Sequence, residues 1–324
     1  MNKKRNTIIV LVITLLVMVI LGIGIWKHQK TQATIANVKA VDDEDSDIVK
    51  YNGEKYKYNS DIRTVLFLGV DKSETVSLEN QPGKGGQADT ILLLVLNDNK
   101  KTAQILEISR DTMTDIDIYD MSGEKLATEN AQIALQYAYG NSTKKSCQIM
   151  KNIVSNLLYG VPIRSHISLN VDGIEQIVDA MGGVEITVPE DYSKIDPAFT
   201  KGAKLTLDGK RAENYVRYRD HDVLGSNDSR MERQNQFMKT LLEQIQSGKI
   251  DKNSVYDLVM NSAGDYIDTD MTAEQLNKIA EYTFDEDIIQ LQGEMKSGKE
   301  HDEFYLDNDK LYELVLKTFY KQIK

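Results

Sequence analysis

The chain has 324 residues and a mass of 36.7 kDa, and 41% of its residues are hydrophobic. This composition supports a substantial core and excludes wholesale disorder. A single cysteine, Cys147, excludes an intramolecular disulfide framework and a site with several thiolates. The four histidines are too few and too scattered to predict a histidine cluster for zinc.

Charge is unevenly distributed along the chain. The formal net charge is −11, but residues 1–30 contain five Lys or Arg and no acidic residue, so the other 294 residues carry −16. A body this acidic is a poor ligand for nucleic-acid phosphates. We therefore predict no nucleic-acid partner, which excludes a DNA-binding regulator.

The first long apolar segment is the uncharged run over residues 7–26. As a helix, twenty residues span about 30 Å, the thickness of the hydrocarbon core of a bilayer. A signal peptide would have a shorter apolar run and a small-residue cleavage step, whereas Lys27 and Lys30 follow here directly. A buried core helix is the alternative. We predict an uncleaved transmembrane helix over 7–26, with a cytoplasmic tail over 1–6.

Residues 27–50 contain a dense acidic run and no aromatic residue, which is typical of a solvated spacer. We predict an extracellular linker there and one ectodomain over 51–324. The protein is then a single-pass protein of the cell membrane. An exported body with so little cysteine suits a Gram-positive envelope.

Three apolar runs, at residues 64–70, 91–97 and 102–108, predict strands buried on both faces. Helical patterns then follow over residues 128–139, 142–159, 172–181, 208–218, 229–246, 272–282 and 308–321. Shorter strand patterns lie at 166–170, 184–188 and 288–291. Helices interleaved with buried strands predict an α/β fold. We expect a single αβα sandwich with a mixed central sheet, because the second and third strands form a hairpin.

Five of the nine arginines lie between residues 211 and 233. Arginine is preferred over lysine where planar, multidentate recognition of phosphate is needed. In the helix near Ser229, the three residues Arg230, Arg233 and Gln234 share a face with Phe237 and with later apolar residues, so they should point inward. A buried anion would satisfy them, and so would pairing with neighbouring acids; both interpretations are open.

Two aspartates, Asp71 and Asp89, and one arginine, Arg110, lie at the ends of the three predicted strands. Aspartate at a strand end often binds the local backbone. Two at adjacent strand ends beside an arginine could instead hold Mg²⁺ next to a phosphate. The glycine-rich loop at 83–86 lacks the spacing of a Walker-type phosphate loop.

Seven segments together resemble the LytR-CpsA-Psr proteins, in order and in spacing, over roughly residues 60–250. They are TVLFLGVD (64–71), GGQADTILLLVLN (85–97), ILEISRDT (105–112), ALQYAYG (134–140), DAMGGVEITV (179–188), AENYVRYRD (212–220) and SRMERQNQFM (229–238). The resemblance implies a membrane-anchored phosphotransferase. Such enzymes move a glycopolymer (teichoic acid, capsular or related polysaccharide) from a polyprenyl-pyrophosphate carrier to the muramic acid 6-hydroxyl of peptidoglycan, through a phosphodiester.

The resemblance also implies roles for particular residues. Asp71 and Asp89 would bind Mg²⁺ or Mn²⁺, and one of them would accept the acceptor proton. The residues expected to bind the pyrophosphate are Arg110, Arg217, Arg219, Arg230, Arg233 and Gln234; of these, Arg110, Arg217 and Arg219 are also expected to be catalytic. Two positions depart from the family pattern, with Gln87 in place of an arginine and Asn227, beside Asp228, in place of an aspartate.

These departures motivate a second hypothesis, a lipid-pyrophosphate-binding or scaffolding protein without turnover. A donor with a polyprenyl tail also needs an apolar trough beside the phosphates. Five residues at helical spacing could line that trough or pack in an ordinary core: Leu135, Tyr139, Ile149, Ile153 and Leu157.

Overall fold

The computed structural model describes residues 48–219, 226–248, 250–299 and 301–324, and for residues 226–228 it describes the backbone alone. The predicted tail at 1–6, the predicted transmembrane helix at 7–26 and most of the predicted linker at 27–50 lie outside the described residues. In the part of the chain that is described, no helix has the length and apolar character needed to cross a membrane.

We number the elements in chain order. The strands are β1 (Ile48–Tyr51), β2 (Glu54–Tyr58), β3 (Ile62–Val70), β4 (Ala88–Asn97), β5 (Thr102–Glu107), β6 (Met113–Tyr119), β7 (Lys125–Gln132), β8 (Ser165–Asn170), β9 (Val184–Thr187), β10 (Lys204–Leu207), β11 (Ile267–Thr269), β12 (Thr283–Gln290), β13 (Gly293–Ser297), β14 (Asp302–Leu306) and β15 (Tyr320–Ile323). The α-helices are α1 (Thr143–Leu157), α2 (Gly173–Ala180), α3 (Gly209–Arg217), α4 (Ser226–Gln246), α5 (Val255–Ala263), α6 (Ala273–Ile279) and α7 (Asn308–Phe319). Short 3₁₀ helices lie at Ile133–Tyr139, Lys252–Ser254 and Gly264–Tyr266.

The chain divides into two compact units. In the smaller, the described residues 48–59 and 316–324 form an antiparallel sheet in the order β1-β2-β15. Strand β1 begins at Ile48, inside the last residues of the segment predicted as linker. The larger unit, residues 60–315, carries every described residue predicted for the site.

The larger unit is built on a six-stranded sheet in the order β11-β8-β3-β4-β5-β12. The β3–β8 and β5–β12 pairs are parallel and the remaining pairs are antiparallel, so the sheet is mixed. Apolar residues on both faces of β3 and β4 bury these strands, as a continuous apolar run predicts. The predicted mixed α/β fold with a mixed central sheet is confirmed.

The two faces of this sheet have different neighbours. Phe67 on β3, Leu94 on β4 and Ile167 on β8 alternate with the residues of the opposite face and line a large internal cavity. On the opposite face, the buried His166 and Ser168 of β8 lie beneath α1 and the 3₁₀ helix at 133–139. Neighbouring side chains on β8 therefore face the cavity on one side of the sheet and α1 on the other.

Three predicted helices differ from those observed. The helix predicted over 308–321 ends at Phe319, directly before β15 begins. Residues 128–132 belong to β7, so the helical prediction there was wrong. Strand β7 pairs with β6, with Gln132 opposite Met113 at one end and Lys125 opposite Tyr119 at the other. Cross-strand pairing with β6 outweighs the local helical pattern. The helix predicted over 272–282 begins with the capping box of Thr272 and Gln275 but ends at Ile279, before β12 joins the sheet.

Helix α3 approaches α2 closely because Gly209 has no side chain. A Cβ atom at Gly209 would lie 2.3 Å from the carbonyl oxygen of Glu175. We expect Gly209→Ala to lower the free energy of unfolding by about 1–3 kcal/mol, since α3 must move away from α2. Gly264→Ala is the matched control, because its nearest neighbour is the flexible Met260 side chain at 3.6 Å. Urea unfolding measures both, and equal midpoints would contradict the close-packing interpretation.

Candidate functional site

Three strand ends bring the predicted acidic residues and Arg110 to one end of the sheet. Asp71 follows β3, and its backbone N–H donates to the carbonyl of Gln87, just before β4 (3.0 Å). Asp89 is the second residue of β4, and Arg110 comes shortly after β5. The sequence prediction that these residues meet at adjacent strand ends is therefore matched by the fold.

Asp89 lies between two guanidinium groups. Its Oδ1 accepts from Nη1 of Arg110 at 2.5 Å, and its Oδ2 accepts from Nη1 of Arg230 at 2.8 Å. The second terminal nitrogen of Arg110 donates to the side-chain oxygen of Gln87. Arg230 is only 5% exposed, and this burial lowers its pKa while the charge of Asp89 opposes the shift. Two cations that would repel each other are thus held together by one carboxylate.

Arg217 and Arg219 come from the end of α3 and the residues after it. Arg217 contacts Asp71 at 3.3 Å and the buried Glu213 at 3.1 Å, and about half of its side chain is exposed. Arg219 lies 3.6 Å from the buried carboxylate of Asp302, which begins β14. Both arginines line the same cavity as the Asp89 cluster.

Three buried carboxylates that contact the cavity arginines were missed by the sequence analysis: Asp111, Glu213 and Asp302. Asp111 is 2% exposed, accepts from Nε2 of Gln132 at 2.7 Å and lies 3.6 Å from Nε of Arg110. Its pKa is raised because burial disfavours the charged form, and the charge of Arg110 opposes that shift. Gln132 also donates to the backbone of Asp302, so one amide connects Asp111 and Asp302. Asp111 lies inside the ISRDT motif, which was the signal available in the sequence.

Arg233 does not reach the cavity, although it was predicted to bind pyrophosphate. Its guanidinium donates to the backbone carbonyls of Tyr215, Tyr218 and Ser229, and it stacks on the ring of Tyr192 at 5.0 Å. Among the described residues that line the cavity, Arg233 is absent. These contacts connect the end of α3 to α4.

Gln234, the next residue, does line the cavity. Its Nε2 donates to the carbonyl of Val216 at 3.1 Å, while its buried Oε1 has no hydrogen-bond partner in the described structure. Asn227, one of the two departures from the family pattern, and its neighbour Asp228 have side chains outside the described part of the structure.

The cavity has a volume of about 530 Å³. Away from the arginines its walls are apolar and come from the sheet and from α2, α4, α5 and α6, including Phe67, Leu94, Ile105, Ile167, Met238 and Leu241. Leu94 is five residues from Asp89 on the same strand, which corresponds to about 16 Å. The cavity therefore has one charged end and one long apolar end.

The residues suggested for an apolar trough are not the ones that line it. Ile149 and Ile153 are buried core residues on α1, so the core-packing alternative holds for them. Leu135 and Tyr139 line a separate pocket of about 300 Å³ beside the loop that contains Gly83. The trough could not be located from the spacing of one helix, because its wall combines the sheet with four helices from distant parts of the chain.

Of the two interpretations left open for the arginines, the structure shows the pairing with neighbouring acids. Each of the four cavity arginines, Arg110, Arg217, Arg219 and Arg230, has a carboxylate within 4 Å. The carboxylates that themselves line the cavity, Asp71 and Asp89, number half as many as the arginines. Asp111, Glu213 and Asp302 contact the same arginines without lining the cavity, so the positive excess belongs to the lining side chains alone.

Asp71 and Asp89 have donor atoms of the kind that Mg²⁺ prefers. Each oxygen of Asp89 accepts one guanidinium hydrogen bond and so keeps a further lone pair, and Asp71 is half-exposed with one contact at 3.3 Å. Mg²⁺ commonly takes one or two protein carboxylates and completes its shell with phosphate and water. The donor set fits such an ion.

Substitution of Arg233 should lower the free energy of unfolding more than substitution of Arg217. Arg233→Ala leaves two buried carbonyl groups at the end of α3 without their donors, so we expect a loss on the order of 3 kcal/mol. Arg217→Ala removes a half-exposed side chain, and we expect less than about 1 kcal/mol. Chemical denaturation of both variants tests this, and an equal loss would show that Arg233 is not a structural clamp.

A family model described as "LytR_cpsA_psr family" matches residues 24–320. A curated relative from Enterococcus faecalis, named polyisoprenyl-teichoic acid–peptidoglycan teichoic acid transferase TagU, is 27% identical over 86% of this chain and 83% of its own length. A relative of the same name from Bacillus subtilis is 28% identical over 74% and 71% of the two chains.

Solved structures agree with the fold. Bacillus subtilis TagV superposes with a TM-score of 0.60 at 22% identity, covering 80% of this chain and 96% of that one. A structure described as TagT bound to LI-WTA gives a TM-score of 0.59 at 22% identity, with 80% and 90% covered. The chain belongs to the LytR-CpsA-Psr family.

Proposed function

We propose that this protein transfers a glycopolymer, through a phosphodiester, from a polyprenyl-pyrophosphate carrier to peptidoglycan. The glycopolymer is a teichoic acid or a capsular or related polysaccharide. The observation that carries the proposal is the cavity, with four arginines and two aspartates at one end and an apolar trough at the other. A lipid diphosphate has the same division into a charged head and an apolar tail. Relatives at 27% and 28% identity are named teichoic acid transferases, which supports the same reaction class.

Binding comes first. Arg110, Arg217, Arg219 and Arg230 hold the two phosphates, because guanidinium groups offer paired donors to phosphate oxygens. The polyprenyl chain lies along the trough between the sheet and α4. Gln234 lies where these two parts of the cavity meet and orients the head group.

The reaction is a phosphoryl transfer. The acceptor hydroxyl oxygen of peptidoglycan bonds to the phosphorus next to the polymer, and the bridging P–O bond breaks with its electron pair leaving on polyprenyl phosphate. The hydroxyl proton passes to Asp71, which is half-exposed and accessible, whereas both oxygens of Asp89 are engaged by arginines. The arginines stabilise the charge that develops on the leaving phosphate.

Asp71 and Asp89 are the residues that would hold Mg²⁺ or Mn²⁺. Such an ion, when bound, neutralises charge on the pyrophosphate oxygens. In this proposal the apolar segment 7–26 anchors the protein in the membrane, with 1–6 in the cytoplasm and 51–324 outside. Enzyme and lipid donor then meet within one membrane plane.

The transfer assay uses the full chain in lipid nanodiscs, a synthetic polyprenyl-pyrophosphate glycopolymer and peptidoglycan fragments, with Mg²⁺ present or removed by EDTA. Mass spectrometry of the acceptor detects the phosphodiester adduct. We expect Arg110→Ala and Arg219→Ala to lower the rate about 10²–10³-fold, the effect of losing one charge-stabilising donor. Arg211→Ala is the control, because Arg211 pairs with Asp196 away from the cavity.

The assay separates catalysis from scaffolding. No adduct from the folded wild-type chain, together with retained lipid binding, would favour the non-catalytic alternative. Equal rates for Arg219→Ala and Arg211→Ala would contradict the assigned role of the cavity arginines.

A second test addresses the lipid trough. Leu94→Trp places a large ring inside the cavity, so we expect the dissociation constant for a polyprenyl-pyrophosphate to rise about tenfold or more, which corresponds to about 1.4 kcal/mol. Leu126→Trp is the control, since Leu126 is 67% exposed on β7. Fluorescence titration of the folded variants measures both constants. Unchanged affinity in Leu94→Trp would place the lipid elsewhere.

A further inference from the structure

A second cluster of reactive side chains lies on the sheet face opposite the cavity. Cys147 on α1, His166 on β8 and Asp268 on β11 each direct one donor atom into the same space, and these atoms all lie within 4.8 Å of one another. Cys147 is fully buried, and His166 is 3% exposed. The three come from separate elements, and the proposed transfer uses none of them.

The register of the sheet produces this arrangement. Strand β11 runs antiparallel to β8 with Asp268 opposite Ser168, so Asp268 and His166 share one face. Nε2 of His166 lies 2.8 Å from Oδ2 of Asp268. Helix α1 lies across this face and brings in the Cys147 thiol, whose pKa is raised to about 12 by burial and by the nearby charge of Asp268.

The other ring nitrogen of His166 faces a second carboxylate. Nδ1 lies 3.1 Å from Oδ2 of Asp270, whose two oxygens are also fixed by Nζ of Lys151 at 2.7 Å and by the backbone N–H of His166 at 2.8 Å. Burial alone would raise the pKa of Asp270, but these hydrogen bonds and charges lower it overall. Nδ1 makes no hydrogen bond in the described structure, whereas a metal-binding histidine usually donates its outer ring nitrogen to a carboxylate placed as Asp270 is.

The charges of the cluster also suit a divalent cation. Asp268 and Asp270 carry two negative charges, and Lys151 carries one positive charge. A divalent ion bound by these groups, by neutral imidazole and by the Cys147 thiolate brings the sum of charges to zero.

We propose that Cys147, His166 and Asp268 bind one divalent cation of the zinc type, with Asp270 as the outer partner of the histidine. Thiolate, imidazole and carboxylate are ligands that Zn²⁺ accepts together, at about 2.0–2.3 Å. Tetrahedral binding at those lengths spaces neighbouring donor atoms by roughly 3.3–3.6 Å, so the side chains need to move by about an ångström. The bound ion fastens α1 to β8 and to the edge strand β11.

The test uses the full chain, stripped of metal with a chelator and titrated with Co²⁺, a spectroscopic substitute for Zn²⁺. We expect one equivalent to bind with a thiolate-to-cobalt charge-transfer band, and Zn²⁺ to displace it. Cys147→Ser should abolish the band, and Asp268→Asn should weaken binding. Asp270→Asn should weaken it about 10–100-fold, as loss of an outer partner does.

Control variants keep the result decisive. His301→Ala removes a histidine outside the cluster and should leave the Co²⁺ affinity unchanged, and circular dichroism confirms that each variant is folded. A folded wild-type chain that binds no stoichiometric Co²⁺ would overturn the proposal, because the cluster would then be a hydrogen-bonded core. A charge-transfer band that persists in Cys147→Ser would overturn it as well.

Discussion

The candidate site depends on one carboxylate, that of Asp89, held between Arg110 and Arg230. The two guanidinium groups repel each other, and each is largely removed from water, so they need a shared anion to lie this close. Asp89 supplies one charge for two cations. Each oxygen of Asp89 accepts a hydrogen bond from one of these arginines, and both arginines also line the cavity. Stability and ligand binding thus use the same groups.

Other buried acids, which do not line the cavity, hold the remaining arginines in place. Glu213 and Asp302 contact Arg217 and Arg219 from behind, away from the lining carboxylates. Asp302 comes from the C-terminal hairpin formed by β13 and β14, about eighty residues beyond Arg219. Residues outside the recognisable motifs therefore help to position a motif arginine, which explains why the segment after residue 250 belongs to the functional unit.

Local sequence rules predicted the strand-end positions of Asp71, Asp89 and Arg110, because buried apolar runs define where strands stop. They did not predict that Arg233 turns away. At 100° per residue, Gln234 lies about 40° from Arg230 on α4, toward the cavity, whereas Arg233 lies about 60° to the other side. That difference directs Arg233 to the carbonyl groups at the end of α3. Partners of this kind depend on tertiary packing and leave no periodic signal in the sequence.

The two faces of β8 show why composition alone also missed the second cluster. Counting cysteines or histidines detects only sites made from one residue type. Cys147, His166 and Asp268 are three different types, and they come from a helix and two strands. On β8, Ile167 points to the cavity, while His166 and Ser168 point to α1. An ion bound on the α1 side would therefore act on the cavity through the backbone of one strand. It would set the position of that strand against β3, whose end carries Asp71, without contacting the lipid or the phosphates.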